Sequence, residues 1–149
     1  MFQYRGKLAR VIDGDTIVVD VDLGFYLRQT MTLRLAGINT AEIHGDHKAR
    51  ALEAKAFVEK QLSGIKGMVV QAYKGEKYGR FLADVYYSAT SDNDSVILKG
   101  TSLNQALLDA GLATRYYGKG EKQETLIVAR KSPSLKSKSP VKRAKARAQ

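Results

Sequence analysis

A small closed β-barrel with helical cover is the fold this sequence predicts, on three observations. Apolar and polar residues alternate with strand period in the first part of the chain, helix signals begin only at Asp46, and 149 residues suffice for one domain with a substantial core.

The elements follow in order. After the turn at residues 13–16, Ile17, Val19 and Val21 recur with period two, and beyond the polar stretch 28–30, Leu33 and Leu35 alternate with Thr32 and Arg34. Two strands joined by a hairpin are expected there. Asp46 suits the N-cap of a helix on which Ala49, Leu52, Ala56 and Phe57 share one face, and Ser63-Gly64 suits its end. Residues 68–73 and 81–87 read as a second strand pair around a turn at 74–79, where Gly79 suits a tight backbone. Past the polar loop 91–94, Ser102 caps a helix running through Ala110, and Gly111 stops it. A short third helix is expected over 121–130. Five short strands and two or three helices result, with no internal repeat.

Composition narrows the function. No run of about 18 apolar residues appears, so no membrane span is expected. Residues 1–10 lack the apolar stretch of a secretory signal, which points to a cytoplasmic protein. The chain has no cysteine, which removes disulfides, thiolate catalysis and cysteine-ligated zinc. The formal net charge of +10 is unevenly spread: residues 130–149 hold eight Lys and Arg and no acid, leaving the first 129 residues nearly balanced. That segment also contains Ser132-Pro133 and Ser139-Pro140 and few large apolar groups. It reads as a disordered basic tail behind a folded domain of residues 1–129, suited to sequence-independent phosphate contact.

Three strings carry the chemistry: Asp13-Gly14-Asp15-Thr16, then Arg34-Leu35-Ala36-Gly37-Ile38-Asn39-Thr40-Ala41-Glu42, then Glu76-Lys77-Tyr78-Gly79-Arg80. Each sets hard oxygen donors or arginines where a strand meets a turn. Asp15 suits a cation site, Glu42 a base, and Arg34 with Arg80 a phosphate grip, because a guanidinium stays ionised and donates paired hydrogen bonds. Each has an ordinary reading when taken alone. Asp13-Gly14 is a common turn dipeptide, a single strand arginine usually faces solvent, and the tyrosines at 73, 86, 87, 116 and 117 suit half-buried strands. His44 and His47, three apart with no cysteine or third histidine nearby, do not make a metal pair.

In order and spacing the three strings resemble the staphylococcal nuclease (thermonuclease) family, over roughly residues 5–130 and including Gly111-Leu112-Ala113. The resemblance implies an OB-fold, a five-stranded barrel with about three helices. It also implies a calcium-dependent endonuclease acting on DNA and RNA with little sequence preference and leaving 3′-phosphate ends. By the same resemblance Asp15, Asn39 and the Thr40 backbone oxygen hold the calcium, Glu42 activates the water, and Arg34 and Arg80 stabilise the transition state. Lys77 and Tyr78 touch a terminal phosphate, and Tyr117 packs near the base, with Tyr116 competing for that role. Two positions depart from the family pattern: Asn39 stands where an aspartate is usual, and Ala41 where a proline is common. The first removes a charge from the metal site; the second loosens the loop that carries Glu42. A monomer is expected, with nucleic acid as partner and no membrane. The alternative is a nucleic-acid-binding barrel with a weakened or inactive site.

Overall fold

One parallel strand pairing closes the molecule. The computed structural model describes residues 2–75, 77–89, 96 and 100–117. In chain order the elements are β1 (Phe2–Asp13), β2 (Thr16–Gly24), β3 (Leu27–Leu35), β4 (Ile38–Thr40), α1 (Lys48–Leu62), β5 (Gly67–Gly75), β6 (Arg80–Ser88), β7 (Thr101–Ser102), α2 (Leu103–Asp109) and β8 (Ala113–Arg115). β1, β2 and β3 form an antiparallel meander, and β5 and β6 a hairpin. β1 joins β5 antiparallel, while β3 joins β6 in parallel with Thr32 opposite Arg80 and Leu35 opposite Ala83. The ring β1-β2-β3-β6-β5 is thereby complete. β7 extends β6, and β4 pairs with β8 in a separate two-stranded ribbon beside the barrel.

The expected period-two residues fill the interior. Ile17, Val19, Val21, Leu33 and Leu35 are buried together with Met68, Val70, Ala83 and Val85. β1 was not legible from period. Register shifts between Leu8 and Arg10 and between Val11 and Asp13 reset its alternation, and one of its inward positions is Gly6. A Cβ at Gly6 would come within 2.7 Å of Val19 Cγ1, so the barrel wall leaves no side chain room there.

Helix α1 ends at Ser63-Gly64 as expected, but its start and its buried face are both corrected. The N-cap is His47, without a side-chain cap bond, rather than Asp46. The buried stripe is Ala51, Ala54, Val58 and Leu62; Ala49, Leu52 and Ala56 are exposed, and Phe57 is half-buried against the core. The cause is close approach. A Cβ at Gly14 would lie 2.7 Å from Ala54 Cβ, so the helix seats its smallest residues against the β1–β2 turn and turns Leu52 outward. Helix α2 matches its expected signals: Ser102 Oγ accepts from the Gln105 amide at 3.3 Å, and Gly111 follows at φ +71. α1 and α2 are the α-helices whose bounds fall within the described residues, and Val96 is helical as well; the helix expected over 121–130, the loop at 91–94 and the tail from 130 lie outside the described residues. Among the described residues no helix is long and apolar enough to cross a membrane.

Where β3 parts from β6, one buried side chain takes over the ladder. Asn104 donates to the Ala36 carbonyl at 2.9 Å, the Ala83 carbonyl at 3.3 Å and Asp84 Oδ1 at 3.1 Å, and its own oxygen accepts from the Val85 amide at 3.2 Å. Backbone groups that lose a strand partner inside protein must be paired, and the carboxamide of α2 does this. The other oxygen of Asp84 accepts from the Tyr73 hydroxyl. That hydrogen bond, with burial and the nearby negative charge of Asp84, pushes the Tyr73 hydroxyl up to about 12.

Two outcomes are expected. Gly14→Ala forces a methyl against Ala54 and Thr40 and lowers stability by about 1–3 kcal/mol in denaturant titration; an unchanged midpoint would show that the turn yields freely. For Tyr73 the folded-state value lies above the ordinary value of 10.0, so its contribution is complete below that pH and lost as pH climbs through about 12. Tyr73→Phe should therefore flatten part of the loss of thermal stability over that alkaline window, and an unaltered profile would count against the Asp84 bond.

Candidate active site

The site is assembled at the end of the barrel where β2 begins and β3 ends. Asp15 sits in the β1–β2 turn, and its backbone oxygen accepts from the Leu35 amide at 2.8 Å, which locks the turn to β3. Its carboxylate is almost enclosed. Oδ1 accepts from Thr16 Oγ1 at 3.0 Å, and Oδ2 accepts from the Thr40 amide at 3.2 Å and pairs with Arg34 Nη2 at 3.5 Å.

Arg34 stands opposite Thr16 on β3 and points away from the face that buries Leu33 and Leu35. The loop at 35–39 curls around its guanidinium: Nη1 donates to the carbonyls of Leu35 and Ile38 at 3.3 and 3.1 Å, and Nη2 donates to Asn39 Oδ1 at 3.0 Å. Gly37, at φ +72, permits that turn. The ring of Tyr116 lies over the guanidinium, 5.5 Å from Cζ to centroid, and the Tyr116 amide donates to Gly37 at 2.9 Å. The β4–β8 ribbon thus covers the same loop from the other side.

Thr40 is buried with its side chain against the Gly14 turn, and its Oγ1 has no hydrogen-bond partner among the described residues. Glu42 follows on an exposed loop, turned by the bond from the Gly45 amide to the Glu42 carbonyl at 3.1 Å. Arg80 opens β6 opposite Thr32 of β3, and its guanidinium is 5.9 Å from the centroid of the Tyr78 ring. Tyr78 is 90% exposed and held at φ 67 within the short 3-10 turn Lys77–Gly79. A tyrosine in that region is strained, and such strain persists where the surrounding turn dictates it.

Asp15, Arg34, Asn39, Thr40, Glu42 and Arg80 all line one cleft of about 360 Å³. Six of the residues singled out from the sequence therefore meet in one place. Tyr78 reaches the cleft through Arg80, and Lys77 opens the turn beside it; Tyr116, not Tyr117, is the tyrosine tied to Arg34, while Tyr117 is 70% exposed beyond it. The cleft is also lined by two titratable residues to which the sequence alone assigns no role there, Asp13 and His44. Asp13 belongs to the first string and was read there only as half of a turn dipeptide. His44 was weighed only as a pair with His47, which instead caps α1.

Charge in the cleft is divided. Burial, followed by the nearby charges of Asp15 and Glu42, raises the Asp13 carboxyl above its ordinary value against the opposing pull of His44 and Lys55. Three carboxylates, Asp13, Asp15 and Glu42, line the cleft with two guanidinium groups, and Asp15 is paired with Arg34 within it. The donor set suits a hard cation in kind: the Asp15 carboxylate and the Asn39 amide oxygen already converge on one cationic group, Arg34 Nη2, and the Thr40 backbone adds a further oxygen donor to the same cleft. It is a lean set, since among the described residues no cluster of three or more His, Cys, Asp or Glu could hold a metal.

Comparison with known proteins gives the family. The family model described as staphylococcal nuclease homologue matches residues 32–138. The chain is 33% identical to a micrococcal nuclease of Shigella flexneri over 118 aligned positions, covering 78% of this chain and 62% of that protein. It is 30% identical to an uncharacterised protein of Methanocaldococcus jannaschii, covering 87% of this chain and 68% of that protein, and 34% identical to an uncharacterised protein of Bacillus anthracis, covering 64% and 45%. It thus spans less than two thirds of the micrococcal nuclease it resembles. With a barrel of the expected topology and a match over most of its length, the chain belongs to the staphylococcal nuclease family.

Proposed function

We propose that this protein is a calcium-dependent nuclease that hydrolyses phosphodiester bonds of DNA, and of RNA, with little sequence preference and leaves 3′-phosphate ends. The observation that carries the reading is the meeting of Arg34 and Arg80, from two strands joined in parallel, with Asp15 and Glu42 in one cleft. A phosphate seated between the two guanidinium groups has its growing negative charge neutralised as water attacks phosphorus in line with the departing 5′ oxygen. Glu42, exposed on its loop, takes the proton of that water. The Asp15 carboxylate, the Asn39 amide oxygen and the Thr40 backbone oxygen would hold a calcium ion, which when bound would supply Lewis acidity toward the phosphate. Tyr78 and Lys77 lie on the Arg80 side, where a terminal phosphate would rest. The base is placed against Tyr117, or against Tyr116, which the Arg34 contact favours.

The second reading, a binding barrel with a weakened site, draws on Asn39. With one carboxylate in place of two, the cation is held less strongly. Incubation with plasmid and single-stranded DNA, in calcium and then in chelator, separates the two. Cleavage that requires calcium supports the nuclease; retention of DNA without cleavage assigns the binding module.

Arg80→Ala and Arg34→Ala should each reduce turnover by about a hundredfold or more, the usual scale for losing a transition-state donor. Arg34→Ala should in addition destabilise the fold by about 3 kcal/mol or more, because it strands the enclosed Asp15 carboxylate. Glu42→Gln should lower the rate while calcium affinity stays nearly intact. Wild-type turnover in any of the three would remove that residue from the mechanism.

Asn39→Asp tests the metal assignment. A carboxylate placed beside Asp15 adds attraction on the order of 1–4 kcal/mol for a nearby cation before repulsion from Asp15 is subtracted. Calorimetric titration should show tighter calcium binding; equal or weaker binding would mean that residue 39 does not serve the cation.

A further inference from the structure

The β2–β3 hairpin runs past the barrel it belongs to. β3 pairs with β6 only from Thr32 onward, so residues 27–31 have β2 on one edge and, among the described residues, no strand on the other. Such an open edge presents unpaired backbone donors and acceptors, and proteins usually guard it with lysine, proline or a bulge. Here the edge reads Leu27, Arg28, Gln29, Thr30, Met31, and its one cation is spent within its own sheet: Arg28 lies 2.7 Å from Asp20 and 3.9 Å from Asp22.

The tip is stranger than the edge. Gly24 and Leu27 face each other across a two-residue turn made of Phe25 and Tyr26, both with positive φ, 54 and 62. Asparagine and glycine are the residues that fit this turn without strain. The two aromatic rings are 94% and 107% exposed, so neither strain nor exposure is offset by burial within the chain. Beside this hairpin, an apolar opening of about 270 Å³ at the barrel mouth is lined by Leu23 and Met31 on the hairpin side and by Phe2, Tyr4, Tyr73 and Phe81 on the other. A cavity of about 150 Å³ already accommodates a benzene ring.

We propose that, against the monomer expected from the sequence, two copies of this chain associate edge to edge through residues 27–31 of β3, antiparallel and centred on Gln29, with the Phe25-Tyr26 tip of each seated against the barrel mouth of the other. The pairing is self-complementary: Leu27 falls opposite Met31 of the second copy, Arg28 opposite Thr30, and no like charges meet. Because β6 begins opposite Thr32, a tip that continues along the second copy's β3 arrives at its Phe81, on the rim of the opening. Four aromatic rings at about 150–250 Å² each approach, before the strands are counted, the roughly 1,000 Å² that a specific interface requires. A nucleic acid is disfavoured as the occupant. The tip offers no cation beyond the engaged Arg28, and seven residues of strand, 27–33, roughly 25 Å, separate it from Arg34. The proposal stands independently of whether the cleft cleaves DNA.

The absence of cysteine makes the test direct. Sedimentation equilibrium of the full chain across the micromolar range should give twice the 16.4 kDa chain mass. The double variant Phe25→Asn, Tyr26→Gly, whose residues suit the turn and so preserve the fold, should halve that mass while melting no lower than wild type. Gln29→Cys should oxidise readily to a covalent dimer, whereas Lys60→Cys, exposed on α1, should not. A wild-type mass of one chain at every concentration would overturn the proposal, as would a dimer that survives the double variant or equal crosslinking at residues 29 and 60. Loss of DNA affinity in the double variant of a monomeric wild type would hand the tip to nucleic acid instead.

Discussion

The parallel contact between β3 and β6 is the constraint on which the rest depends. Every other pairing in the main sheet is antiparallel, and without this one the sheet would stay open. It spans only residues 32–35 against 80–83, yet it sets the two arginines: Arg34 lies near its end and Arg80 at its start. Parallel pairing needs a long connection, and β4, α1 and β5 lie between the two strands. The same connection delivers Asn39, Thr40 and Glu42 to the cleft. Closure and site assembly are therefore one event in the fold.

Arg34 is the scaffold of the cleft. Its guanidinium holds the carbonyls of Leu35 and Ile38, the Asn39 amide oxygen and the Asp15 carboxylate, and it lies beneath Tyr116. With about 12% of its side chain exposed, and the same for Asp15, the pair is shielded enough for each partner to depend on the other. Asn104 plays the matching part on the protein side, pairing the backbone groups that β3 and β6 release as they separate. The cleft is tied tightly around Arg34, whereas the Glu42 loop is turned by the backbone bond from the Gly45 amide to the Glu42 carbonyl.

Backbone strain is concentrated outside the core. Among the described residues, the three non-glycine residues with positive φ are Phe25, Tyr26 and Tyr78, all exposed aromatics on turns. Tyr78 stands beside Arg80 at the cleft. Phe25 and Tyr26 stand at the tip of the β2–β3 hairpin, next to an edge with no strand partner among the described residues. Neither turn contributes to the packing that stabilises the barrel, and each presents a ring to whatever approaches.

Much of the site could be read from the sequence because its chemistry is local in the chain. Asp15, Arg34, Asn39, Thr40, Glu42 and Arg80 lie in short strings whose residue types already state hard-cation and phosphate chemistry. The strands through Ile17–Val19–Val21 and Leu33–Leu35 announced themselves by clean alternation. β1 did not, since its register shifts reset the period and glycine occupies an inward position. The face of α1 was misjudged because hydrophobicity favoured Leu52, whereas the close approach at Gly14 admits only the alanine side. Asp13 and His44 joined the cleft through folding alone. What the sequence by itself determined was the fold class and which side chains meet in the cleft, through periodicity and short-range spacing. Which helix face is buried, which tyrosine covers Arg34, and that β3 meets β6 in parallel were decided only by the tertiary structure, because they depend on distances between segments that no local pattern encodes.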